Sequence, residues 1–99
     1  MKFLLFVVHD QKANVYNKPF CEINNAVAIR NFEAAVQDPN TQLNKYPQDF
    51  DLYNIGEYDD NTAKVTYHPP KHIIGAQELM VDLSTVQGAD NGVLREQAS

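Results

Sequence analysis

The sequence is poor in the features that usually announce a chemistry. One of its 99 residues is cysteine, Cys21, so no disulfide can close within the chain and a reducing compartment suits it. Following Phe20, this residue reads as a small buried hydrophobe rather than a catalytic or redox thiol. There is no glycine-rich phosphate loop, no nucleophile elbow and no zinc-ligand spacing. Long hydrophobic runs are missing too. The longest, Phe3-Leu4-Leu5-Phe6-Val7-Val8, has six residues. A membrane-spanning helix needs about twenty and a signal peptide's apolar region about seven to fifteen. His9, Asp10 and Gln11 follow the run without a small-residue cleavage site, so a soluble intracellular protein is expected. Positive charge is also scarce. Eight Lys and Arg face thirteen Asp and Glu, for a net charge of −5. Lys2, Lys12, Lys18, Arg30, Lys45, Lys64, Lys71 and Arg95 form no run. Duplex DNA is bound through basic surfaces that displace counterions, so bulk charge argues against a general nucleic-acid binder and leaves only a local patch open.

What is present is an ordinary globular mixture, 43% hydrophobic and 21% charged, long enough for one domain. The six-residue run does not alternate with polar residues. As a strand it is apolar on both faces and needs cover on both, which makes it the centre of a small sheet. Val15 to Ile23 reads as an extended edge segment, because Pro19 cannot donate to a ladder. Asn24 or Asn25 then caps a helix to about Gln37, with Ala28, Ile29, Phe32, Ala35 and Val36 on one stripe. Asp38-Pro39 stops it. Residues 40–46 offer a short helical turn with Leu43 and Tyr46 pointing inward, and Pro47 ends it. A second strand runs from Phe50 to Tyr58, with Gly56 marking a bulge or a close backbone approach. After a polar turn, residues 64–68 alternate as a one-sided edge strand that Pro69-Pro70 should terminate. Residues 71–81 form a short amphipathic segment expected to dock on the domain or on a second subunit. The reading is an α+β domain over 1–80, with three to four antiparallel strands and one main helix on one face, an arrangement that admits the ferredoxin-like variant, and a flexible tail over 81–99.

Several side chains invite a chemical reading. His9-Asp10 ends the central strand, where a histidine is more simply bonded to Asp10 or backbone than catalytic. His68 and His72 have an i, i+4 spacing, but Pro69-Pro70 forbids the helix a metal pair would need, and no third ligand is suggested. Asp49, Asp51, Glu57, Asp59 and Asp60 read as solvated turn charges rather than a general acid–base pair. Tyr46, Phe50, Tyr53, Tyr58 and Tyr67 lie in or beside strands, from which they can stack single-stranded bases or fill an interface. Tyr53, Tyr58, Tyr67 and Lys64 are therefore the candidate binding residues. No catalytic residue, metal site or cofactor is assigned.

The ordered set of short matches resembles the small nonstructural protein of gokushoviruses, single-stranded DNA phages of the microvirus group. It is carried by Phe6-Val7-Val8-His9-Asp10, Asn17-Lys18-Pro19-Phe20, Ala26-Val27-Ala28-Ile29-Arg30 with Phe32, and Ala35-Val36 with Asp38-Pro39. Tyr46-Pro47-Gln48-Asp49-Phe50, Leu52-Tyr53, Ile55-Gly56 and Asp59 continue it to about residue 60. His9 stands where that family more often has an aromatic such as tyrosine. The resemblance implies a non-capsid protein of viral genome replication in the host cytoplasm, and the lack of an active-site constellation makes the expected role a non-catalytic one. The resemblance also implies a role at the switch to single-stranded DNA synthesis or packaging, through replication proteins of phage or host or through single-stranded DNA. The alternatives are a small ferredoxin-like or dimeric α+β-barrel enzyme with His9 as base, and a structural adaptor.

One helix can cover only one face of the sheet, and no second long amphipathic helix is available. A homodimer or higher even oligomer is therefore expected, packed through the first strand and the 51–68 hairpin, with residues 73–80 bracing the joint.

Overall fold

The computed structural model describes residues 1–80. The apolar run lies within β1 (Lys2–Asp10), which is followed by β2 (Val15–Tyr16), β3 (Phe20–Glu22), α1 (Asn25–Gln37), α2 (Gln42–Lys45), β4 (Phe50–Asp59) and β5 (Lys64–Gly75). Single 3-10 turns fill Pro47–Asp49 and Ala76–Leu79. All pairings are antiparallel. β1 pairs β4 on one side and both β2 and β3 on the other, and β5 pairs the far side of β4. The run that is apolar on both faces is thus interior to the sheet, flanked by β4 as its composition requires.

α1 begins where the Asn24 side chain accepts from the Val27 amide at 2.9 Å, replacing a partner the first turn lacks. Its stripe buries Ala28, Phe32 and Val36 against Phe6, Leu52 and Ala76. At its other end the carbonyls find side-chain donors: Thr41 Oγ1 donates to Ala35 O at 2.7 Å and Asn44 Nδ2 to Val36 O at 2.8 Å. α2 therefore serves as a cap for α1. Leu43 packs on the core, but Tyr46, expected to point inward, is half exposed because the chain turns outward into Pro47.

Three further differences have local causes. Pro69-Pro70 does not end β5, which continues to Gly75. β5 is an edge strand, so a missing N–H disturbs no neighbour, and three of its residues bulge opposite one of β4 there. Residues 71–80 accordingly finish β5 and fold back on their own domain. Ala76 is fully buried, Leu79 and Met80 pack on the core, and Gln37 Nε2 donates to Leu79 O at 2.7 Å. The α+β class with one main helix holds, but the ferredoxin-like variant does not. The element order places three strands before α1 and two after α2, where that fold alternates βαββαβ. Cys21 is exposed, not buried, because its partner across the sheet is Leu5, on the face away from α1. The expected tail over 81–99 lies outside the described residues.

Bulges punctuate the sheet. Between β2 and β3 the pairing slips by one residue. Asn17 bridges the slip, its amide donating to Val8 O at 2.9 Å and its side chain accepting from Val8 N at 2.7 Å. In β4 the register against β1 shifts across Ile55, since Leu5 faces Gly56 but Phe6 faces Asn54. Asn54 Nδ2 holds that bulge by donating to Leu5 O at 2.8 Å and Gly56 O at 3.2 Å. Gly56 has φ +151°, and a Cβ there would lie 2.0 Å from Thr66 O. Gly56→Ala must then strain the backbone and push β5 away, at a cost of at least ~2 kcal/mol. A urea midpoint clearly below that of the unsubstituted protein is expected, and an unchanged midpoint would contradict this role for the glycine.

Candidate functional site

A strand sends successive side chains to opposite faces, and residues directly paired across strands share a face. Leu4, Phe6 and Val8 of β1 pack on the core with α1. Phe3, Leu5, Val7 and His9 therefore point the other way, where no helix lies among the described residues. The pairings continue these positions across the sheet. Phe3 is in line with Tyr58 and Val65, Leu5 with Cys21, Gly56 and Tyr67, Val7 with Tyr53 and His72, and His9 with Tyr16 and Asp51. Tyr53 and Tyr58 are five residues apart and would face opposite ways in an unbroken strand. The extra residue, Ile55, reverses the alternation between them and puts both on the open face. The Pro69-Pro70 bulge does the same for Tyr67 and His72.

This open face is aromatic and nearly free of charge. At one end the His9 ring lies 4.3 Å from Tyr16, Tyr53 lies 6.0 Å from Tyr16, and His72 lies 5.3 Å from Tyr53. Asp51, only 14% exposed, accepts from His72 Nε2 at 2.9 Å and from Gln11 Nε2 at 2.5 Å. Burial raises the Tyr53 phenol above its ordinary pKa, assisted by the Asp51 carboxylate and then by Tyr16. At the other end Val65 and Tyr67 are 58% and 66% exposed. No lysine or arginine from the described strands stands here. Lys2 and Lys64 are in line with Asp59, and Lys71 with Asn54 and Phe6, all on the opposite face.

Of the candidate binding residues, then, Tyr53, Tyr58 and Tyr67 share one face and Lys64 does not. The acidic residues disperse. Asp51 joins the open face, Asp59 accepts from the Asn61 amide at 2.9 Å in the hairpin turn, and Asp60 accepts from the Met1 amino group at 2.6 Å. His68 and His72 serve different partners, His68 Nε2 facing Asn54 Oδ1 at 2.8 Å. Among the described residues no three His, Cys, Asp or Glu side chains converge on a metal position. The pairing of Asp51 with His72 was not readable from a separation of 21 residues.

The helix side holds an open cleft of about 500 Å³ between α1 and the β2–β3 edge. Val8, Phe20, Phe32, Leu43 and Phe50 line it, with Asp10 at its polar margin. The Asp10 carboxylate is already engaged, accepting from the Lys12 and Ala13 amides at 3.0 and 3.2 Å. His9 is directed to the other face, where its Nε2 lies 3.3 Å from Asn14 Oδ1. The histidine and the cleft are on opposite sides of the sheet, so they do not make a common active site. No helix among the described residues is long and apolar enough to cross a membrane.

A family model described as Phage ORF5 protein matches residues 3–79. No curated protein and no solved structure matches the chain.

The raised pKa of Tyr53 has a signed consequence. In the unfolded chain this phenol ionises near 10.0, and in the fold it ionises later. The stability gained by keeping it neutral is complete below that pH and is lost as pH rises toward the folded value. In a spectrophotometric tyrosinate titration, one phenol should lag and Tyr53→Phe should remove the lagging component. Retention of that component in the variant would contradict the assignment.

Proposed function

The chain belongs to the Phage ORF5 protein family, and from that footing we propose that it is a non-catalytic binding protein of phage genome replication. It acts in the host cytoplasm, at the switch from duplex replication to single-stranded DNA synthesis or packaging. The resemblance to the gokushovirus nonstructural protein supports that step. The observation that carries the binding role is the open sheet face, where Tyr16, Tyr53, Tyr58 and Tyr67 stand with Phe3 and Val65 and no helix of the described residues lies over them. Surfaces rich in tyrosine and aliphatic residues and poor in charge have the make-up of interface centres. That composition favours a protein partner.

Single-stranded DNA is the second reading, favoured by four tyrosines on one face, since bases stack on such rings in many sheet-based binders. Against it stands the absence of any lysine or arginine of the described strands on that face. Backbone phosphates need a cation, and Lys2, Lys64 and Lys71 are on the other side of the sheet.

Complementation of a phage lacking this gene tests the role, read as the ratio of single-stranded to duplex phage DNA in infected cells. Tyr67→Glu places a charge at the most exposed tyrosine of the face and should lower that ratio at normal protein abundance. His9→Phe keeps a ring against Tyr16 and removes any base, and it should preserve the ratio. A silent Tyr67→Glu together with a defective His9→Phe would replace the binding account with a catalytic one.

A further inference from the structure

We infer that the open sheet face is covered by a second copy of the chain, the two sheets packed face to face about a two-fold axis. The inference rests on the reading of this face as the binding surface and names its partner. Three observations select a second copy over other occupants.

The first is charge. The chain carries a net charge of −5, so two copies repel through most of their surface. The open face is where they meet without that opposition. It presents no lysine or arginine from the strands, and its one carboxylate, Asp51, is held by His72 and Gln11. The same neutrality means that no strand residue there offers a cation to a nucleic-acid phosphate.

The second is size. β1, β4 and β5 run side by side for about 30 Å and span about 14 Å across, and the five residues of β2 and β3 add a partial fourth row. Each copy therefore offers about 500 Å², or about 1,000 Å² for the pair, at the threshold of specific interfaces. A two-fold axis needs a patch that is its own complement, and rows such as Phe3–Tyr58–Val65 supply one made only of apolar and aromatic groups.

The third is where the described chain ends. Met80 packs on the helix-side core beside Leu79, whose carbonyl accepts from Gln37 of α1. The described chain thus ends on the covered side, and Ala76, Leu79 and Met80 after β5 all pack there rather than over the open face.

Cys21 provides a local reporter. It is exposed and shares the open face through its pairing with Leu5. The experiment measures the mass of the full chain by light scattering across micromolar concentrations, along with the rate at which a soluble thiol reagent modifies Cys21. The unsubstituted protein should show twice the chain mass and a Cys21 rate that rises several-fold on dilution to monomer. Tyr67→Glu should show the chain mass, a fast Cys21 and an unchanged circular dichroism spectrum. Thr66→Glu, the neighbouring position on the opposite face of β5, should remain a dimer. Chain mass for the unsubstituted protein at the highest concentration would overturn the proposal. So would a dimer that survives Tyr67→Glu with Cys21 equally reactive, because another surface would then hold it. A monomer with Cys21 protected would assign the face to the chain's own residues, and a monomer that binds oligothymidylate with Cys21 protection would assign it to single-stranded DNA. Either result rejects the second copy. If the unsubstituted protein is monomeric and Tyr67→Glu still loses phage function, the dimer is rejected and the binding face stands.

Discussion

Alternation in β1 is the constraint from which the rest of the structure follows. A strand whose consecutive residues are all apolar must place half of them on each side. Here Leu4, Phe6 and Val8 go to one side, and Phe3, Leu5 and Val7 to the other. Among the described residues there is one long amphipathic helix, α1, and it covers the first set with Ala28, Phe32 and Val36. The second set stays on a face that holds most of the large side chains the core does not use. Stability and function are thus divided between the two sides of one sheet. The side with Phe32 and Leu52 holds the domain together. The side with Tyr53, Tyr58 and Tyr67 is available to something else.

The bulges give that second side its composition. Without Ile55 as an extra residue, Tyr58 would point toward the helix side and Tyr53 away from it. Asn54 fixes the extra residue by tying Leu5 O and Gly56 O together, and Gly56 lets β5 approach where any Cβ would collide with Thr66. Pro69-Pro70 produces the corresponding shift in the edge strand. These departures from a regular ladder are not defects. They gather aromatic residues from two strands onto one surface, which is a common use of bulges beside binding sites.

Much of the fold was legible because its signals are local. The Asn24 cap, the α1 stripe and the Asp38-Pro39 stop all act within a few residues, and each sits where the sequence places it. The doubly apolar run demanded an interior strand, and β1 is one. The path of residues 69–80 was not legible, because a proline's effect depends on whether its strand is central or at an edge, and that is a property of the assembled sheet. The exposure of Cys21 was missed for a similar reason, since only the pairing with Leu5 reveals its side. At the candidate site the three tyrosines were readable as a group by type. Their common face was not, because it depends on bulges that Gly56 and Pro69-Pro70 hint at without fixing their length. Lys64 was a candidate beside them, and the parity of β5 puts it on the other face.

The central claim is that the uncovered face meets another copy of the same face. Isotope-filtered nuclear Overhauser spectroscopy on a mixture of labelled and unlabelled chains tests it most directly, because it records only contacts between molecules. The account predicts intermolecular cross-peaks from Phe3, Leu5, Tyr58 and Val65. Cross-peaks restricted to the helix side, from residues such as Ile29 and Leu43, or none at all at concentrations that saturate any assembly, would contradict it.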